Sequence, residues 1–198
     1  EPMAAVDVEG REDLVALLRS IVRTDGIPVL FVAHEPSTVW GLSDRVHLLY
    51  GGVTRFEGPL EGFLAAPQSR FSARFQGLDN LPTLAEVARL PRDSSLRQQL
   101  ESRLGPDGIA FASGSLAILP VAAGPPGEAA RVHSFRALGR RSLLVVESHG
   151  LRLVGEWEGP GPLPSVGDAV RIRLNTDEVH PLEEASGRDA PEALADSA

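Results

Sequence analysis

Near residue 108 the apolar residues of this chain change their spacing from a helical to a strand period, and that switch separates two kinds of architecture. Before it, Leu14, Leu17, Leu18 and Ile21 fall at i, i+3, i+4 and i+7, the stripe of an amphipathic helix over 11–24, with Asp25-Gly26 suited to its end. Pro28–Ala33 is a continuous apolar run, which reads as a strand buried on both faces of a parallel sheet. His34 stands at its carboxyl end, the edge where open α/β sheets place ligand chemistry. A short helix near 36–43, a strand over Val46–Tyr50, a tight Gly51-Gly52 turn and a returning strand Val53–Phe56 are expected next. Pro59 opens another short helix through Ala65. After the switch, Ile109–Leu119, Ala130–Ala137, Ser142–Glu147, Leu151–Trp157 and Asp168–Leu174 each read as strands. Five short strands without long helices point to a small OB-like barrel.

Residues 77–108 are less regular. Asp93 is expected to cap a helix carrying Leu96, Leu100 and Leu104, which Gly105-Pro106-Asp107-Gly108 ends. The expected organisation is therefore an α/β segment over 1–76, a linker with a short helix over 77–108, a β module over 109–182 and an acidic, disordered tail over 183–198. That tail sets five acids against Arg188 alone, and so holds much of the net charge of −8.

The mildly acidic body disfavours nucleic acid as a partner, and aromatic residues at 5% leave few stacking platforms. With no cysteine, disulfides, thiolate metal sites and cysteine nucleophiles are excluded. No apolar stretch has the length of a bilayer span, and Glu1-Pro2-Met3 shows no leader pattern, so a soluble, cytosolic chain is expected. All 19 basic residues are arginine. A Walker A loop, Gly-x-x-x-x-Gly-Lys-Ser/Thr, is therefore impossible within these residues, and a Rossmann Gly-x-Gly-x-x-Gly is absent too. His47, His133, His149 and His180 lack metal-ligand spacing, and no metal site is expected. Ser134 beside His133 has no supporting motif of a nucleophile. Arg131, Arg136, Arg140 and Arg141 form the densest basic patch, readable as a solvated barrel edge, an anion contact or a subunit contact.

Several segments, in order and spacing, resemble the carboxyl-terminal part of the nucleotide-binding subunit of ABC transporters, importers above all. Glu1-Pro2-Met3-Ala4-Ala5-Val6-Asp7 is similar to the end of Walker B running into the D-loop. His34 falls on the switch histidine after the next strand. Ser43-Asp44-Arg45-Val46 matches the Ala-Asp-Arg-Val/Ile stretch, and Gly51-Gly52 with Glu57-Gly58-Pro59 the hairpin beyond it. Phe75-Gln76-Gly77-Leu78-Asp79-Asn80 resembles the lead into the regulatory domain. Residues 109–182 resemble the TOBE-type OB domain of importer ATPases; Pro164, Gly167-Asp168 and Val170, with Asp177-Glu178-Val179-His180, fit its closing pattern.

The resemblance implies a fold: an α/β fragment of a P-loop NTPase domain followed by a small all-β OB-like (TOBE) barrel. It implies roles as well. Glu1 would be the general base that polarises the water attacking the γ-phosphate of ATP. His34 would contact that phosphate and the water, and Asp7 would lie at the ATP-dependent dimer interface. ATP and Mg²⁺ would be the cofactors of the full-length protein. A second ATPase subunit in a homodimer, transmembrane permease subunits and, indirectly, a solute-binding protein would be its partners. Its place would be the cytoplasmic face of the membrane. The departures are also informative. The Walker B aspartate, the Walker A loop, the Q-loop and the signature Leu-Ser-Gly-Gly-Gln are absent; Val6 replaces leucine, and Glu35 and Thr38-Val39 stand where aspartate and Glu-Ala are usual. The expectation is a fragment lacking the ATP-cradling half and inactive alone. Asp7 also suits a helix N-cap. As an alternative, the β module is a regulatory or oxyanion-binding domain of the molybdate or sulfate type.

Overall fold

The structure is a computed structural model that describes residues 6–121, 127–138 and 141–183. The chain divides into two compact units, Glu1–Ala66 and Pro67–Ala198.

In the first unit α1 (Val8–Ser20) starts on Asp7, whose Oδ1 accepts from the Gly10 N–H at 2.8 Å, and it runs on as one π-helical turn, Ile21–Asp25. Gly26, at φ 64°, ends it. α2 (Pro36–Leu42) has proline at its first turn. β1 (Arg45–Tyr50) and β2 (Val53–Pro59) pair antiparallel through Gly51 and Gly52, whose φ values of 61° and 75° are the pair of positive angles a type I′ turn demands. α3 (Leu60–Ala65) folds back so that Phe63, 1% exposed, meets Phe56 with ring centroids 5.1 Å apart.

The strand expected over Pro28–Ala33 does not form. The segment has no ladder partner among the described residues, Leu30 is 97% exposed and Val32 69%. A strand exists only through its neighbours, and the two described strands of this unit pair with each other. The predicted helical stripe is likewise not buried: Leu17 is 56% exposed.

The second unit is built around a closed barrel. Three short helices precede it: α4 (Arg70–Phe75), α5 (Leu84–Ala88) and α6 (Ser95–Glu101). Capping boxes start the first two, Ser69 with Ser72 and Thr83 with Glu86. Ser94, not the expected Asp93, caps α6, its hydroxyl accepting from the Arg97 N–H at 3.1 Å. The run Ile109–Leu119 is not one strand: Ser113-Gly114-Ser115 makes a 3₁₀ turn that breaks it into β3 (Ile109–Ala110) and β4 (Leu116–Pro120). β5 (Glu128–Leu138), β6 (Arg141–Ser148) and β7 (Leu151–Trp157) form a meander, with His149 at φ 50° and Gly150 at φ 80° turning β6 into β7. β8 (Ala169–Leu174) and β9 (His180–Pro181) follow, and β9 pairs with β3.

The barrel order is β4-β7-β6-β5-β8. β4 closes it, antiparallel to β8 from Leu116↔Leu174 to Pro120↔Val170, and parallel to β7 only at Ala117↔Glu156 and Ile118↔Trp157. A Cβ at Gly155 would sit 2.5 Å from the Leu116 carbonyl oxygen, so glycine there lets the two strands approach. Leu116, Ile118, Leu144, Leu153 and Ile172 fill the interior, and Val87, Leu90, Leu96 and Leu100 from the α5–α6 region join the same core. At about 1.5–3 kcal/mol for each fully buried large apolar side chain, this cluster is the main stabilising term of the unit.

Where the β4–β7 ladder is too short to cover β7, Asn80 stands in for a strand. Its Oδ1 accepts from the Val154 N–H at 2.7 Å and its Nδ2 donates to the Val154 carbonyl at 2.8 Å. Its own backbone exchanges two bonds with Phe111. At 3% exposure all four bonds are shielded from water.

Candidate functional site

Of the three residues singled out for nucleotide chemistry, Glu1 lies outside the described residues. His34 is exposed, in the segment that enters α2, and Asp7 is the N-cap of α1. Two arginines of α1 tie these neighbourhoods together. Arg11 donates through Nη1 to Glu35 Oε2 at 2.9 Å and through Nε to the Val6 carbonyl at 3.0 Å. Arg19 Nη2 donates to the Gly41 carbonyl at 2.6 Å. The Arg11–Glu35 pair is more than a third exposed on both sides, so solvent screens it to at most about 1 kcal/mol; its use is to fix where His34's segment leaves α1. Arg11, on a polar helix face, carries no signal in the sequence of a partner 24 residues away.

An exposed imidazole in its neutral form offers one donor and one acceptor. That suits a contact with an anionic oxygen, but a single histidine does not grip a triphosphate. The groups that would are a lysine loop, which this chain cannot supply, and a metal held by carboxylates. Among the described residues no group of three or more His, Asp or Glu side chains has metal-holding geometry. The described part of this chain therefore does not fit ATP and Mg²⁺ by itself.

The remaining singled-out residues are dispersed. His47 Nε2 lies 2.8 Å from Thr54 Oγ1 across the β1–β2 hairpin. His149 Nε2 is 3.7 Å from Glu128 Oε1, whose other oxygen accepts from the Ser94 hydroxyl at 2.9 Å. Of the basic patch, Arg131 donates to the Gly167 carbonyl at 3.1 Å, and Arg136 is exposed further along β5. Arg140 lies outside the described residues, as do the side chain of Arg141 and the acidic segment 184–198. No helix among the described residues is long and apolar enough to cross a membrane.

No family model matches the chain. Part of it is similar to the ATP-binding subunits of ABC importers. It is 37% identical over 79 residues to the Molybdenum import ATP-binding protein ModC of Mycobacterium tuberculosis, covering 40% of this chain and 21% of that protein. Over 111 residues it is 33% identical to the Spermidine/putrescine import ATP-binding protein PotA 1 of Pseudomonas aeruginosa, covering 56% and 28%. Over 112 residues it is 32% identical to the Methionine import ATP-binding protein MetN of Leifsonia xyli subsp. xyli, covering 53% and 33%. The chain thus spans between a fifth and a third of the length of these relatives, whose names carry three different cargoes. A mixed α/β region followed by a closed five-stranded barrel agrees with the carboxyl-terminal region of such subunits.

Proposed function

We propose that this chain is the carboxyl-terminal portion of an ABC importer ATPase subunit, with part of the nucleotide domain over 1–76 and a TOBE-type barrel over 109–182. The observation that carries the reading is Pro28–Ala33: an apolar run with no ladder partner among the described residues and a leucine 97% exposed suits a sheet strand whose neighbours lie outside those residues. The partial similarity to three importer subunits supports it. In the complete protein Glu1 would orient the attacking water, His34 would meet the γ-phosphate and Asp7 would face the second subunit, while Mg²⁺ would neutralise phosphate charge. That protein would dimerise, dock on permease subunits at the cytoplasmic face of the membrane and couple ATP hydrolysis to uptake of a solute.

The chain alone is then inactive. Purified and supplied with ATP and Mg²⁺, it should release phosphate no faster than a boiled control; hydrolysis above that control would sink the reading. The reading frame upstream of Glu1 provides a second check. It should encode Gly-x-x-x-x-Gly-Lys-Ser/Thr, and an unrelated sequence or a stop codon there would overturn the assignment.

A further inference from the structure

β5 carries a bulge between Val132 and Ser134. Before it, Val132 faces the core opposite Val146; after it, Ser134 lies opposite Val145 and Arg136 opposite Leu143, on the outer face. The extra residue thereby turns Ser134 and Arg136 outward together, two positions apart on one face of the strand. The register carries these rows onward: Val145 is opposite Val154, and Leu143 opposite Glu156. Leu143, Val145 and Val154 form a small apolar cluster of their own outside the barrel.

Over this face lies the segment Asp79–Pro82, held by the bonds of Asn80 to Val154. The cleft between them has a volume of about 340 Å³, within the range of small-molecule sites. Val145 and Val154 line it together with the polar groups of Ser134, Arg136, Arg152, Asp79 and Glu86. The polar groups differ in how far they are already used. Asp79 Oδ2 accepts from the Ser113 N–H at 3.2 Å, and Glu86 Oε2 accepts from both the N–H and the hydroxyl of Thr83 at 2.8 Å. Arg152 donates to Glu147 at 2.9 Å. The Arg136 guanidinium and the Ser134 hydroxyl have no hydrogen-bond or ion-pair partner among the described residues.

We propose that this cleft binds a small organic carboxylate, its two oxygens on Arg136 and Ser134 and its carbon chain along Val145 and Val154. A guanidinium fork matches a carboxylate in plane and charge, and the exposed edges of Val145 and Val154 in the same lining leave a place for a short carbon chain beside it. The inference goes beyond the nucleotide reading and does not depend on it, since every residue it uses belongs to the second unit.

The test is a titration of the isotope-labelled full chain with sodium hexanoate, followed by amide and arginine Nε resonances, with hexanol and sodium sulfate as reference probes. Saturable shifts at Ser134, Arg136 and Val154 with hexanoate, and weaker ones with either reference, are expected. Arg136→Gln should weaken hexanoate binding at least about tenfold, the loss of one charge-assisted contact. Arg131→Gln, a change outside the cleft, should leave it as it was. Unchanged thermal unfolding of both variants, whose side chains are exposed, would exclude misfolding as the cause. The proposal is overturned if hexanoate gives no saturable shift, if sulfate or hexanol binds as well, or if Arg136→Gln binds like the parent.

Discussion

The first unit leaves much of its apolar sequence in water, while the barrel of the second buries its strands. Leu17, Ile27, Leu30 and Val32 are all more than half exposed, while Leu116, Ile118 and Leu144 are wholly buried. Both stretches are apolar enough to make strands. The difference is topological. A barrel supplies every strand with two neighbours from its own sequence, so each alternating segment finds a ladder and an interior. A strand of an open sheet depends on neighbours, and among the described residues of the first unit Pro28–Ala33 has none. Hydrophobicity decides whether a segment seeks burial; connectivity decides whether it finds it.

The sharpest test of that contrast is a pair of substitutions. Leu144→Ala removes a wholly buried side chain and should cost about 3 kcal/mol or more. Leu30→Ser should change stability by no more than about 0.5 kcal/mol. Denaturant unfolding can follow the units separately in Trp40→Phe and Trp157→Phe backgrounds, which leave one reporter each, in the second unit and the first. Comparable losses from the two substitutions would break the comparison. A smaller effect is expected at the clip. Asn80→Ala leaves the buried N–H and carbonyl of Val154 without partners, at about 2 kcal/mol, and should lower exchange protection at Val154 more than elsewhere in β7. An unchanged midpoint would mean that water replaces the amide.

The smallest effect is electrostatic. The hydrogen bond from Arg152 holds the Glu147 carboxyl below its ordinary range, helped by the charges of Arg152 and His133. Because its folded value is depressed, the contribution to stability is present above the ordinary carboxylate range and is lost as pH falls through the lowered value. Glu147→Gln should remove that slight acid-side slope from a plot of stability against pH. A slope that survives the substitution would assign it to other carboxylates.

Much of the barrel was legible because it is locally encoded. Val170, Ile172 and Leu174 alternate inward as their spacing says, and β5 to β8 appear within a few residues of expectation. The break at Ser113–Ser115 was overlooked because the apolar tally of 109–119 outweighed three small residues. α4 and α5 are too short to show a helical period, yet their caps stand in plain view at Ser69 with Ser72 and Thr83 with Glu86. Asp93 and Ser94 are both good capping residues, and the backbone chose the second. At the candidate sites, the N-cap geometry of Asp7 was readable from its residue type. Nothing local ties Asn80 to Val154, 74 residues on, or turns Ser134 toward Arg136; those follow from a register that only the closed barrel sets.

The closing strand also has a consequence for how the chain folds. β5 pairs with β6 and β6 with β7, strands adjacent in sequence, and such hairpins assemble in microseconds. β4 must wait for β8, since Leu116 pairs with Leu174 across the whole meander. Contacts of that separation place barrel closure late and on the slower, millisecond-to-second scale. Until then Leu116-Ala117-Ile118-Leu119 is an uncharged, strand-forming segment, and Pro120, directly after it, has no N–H with which to extend a foreign ladder.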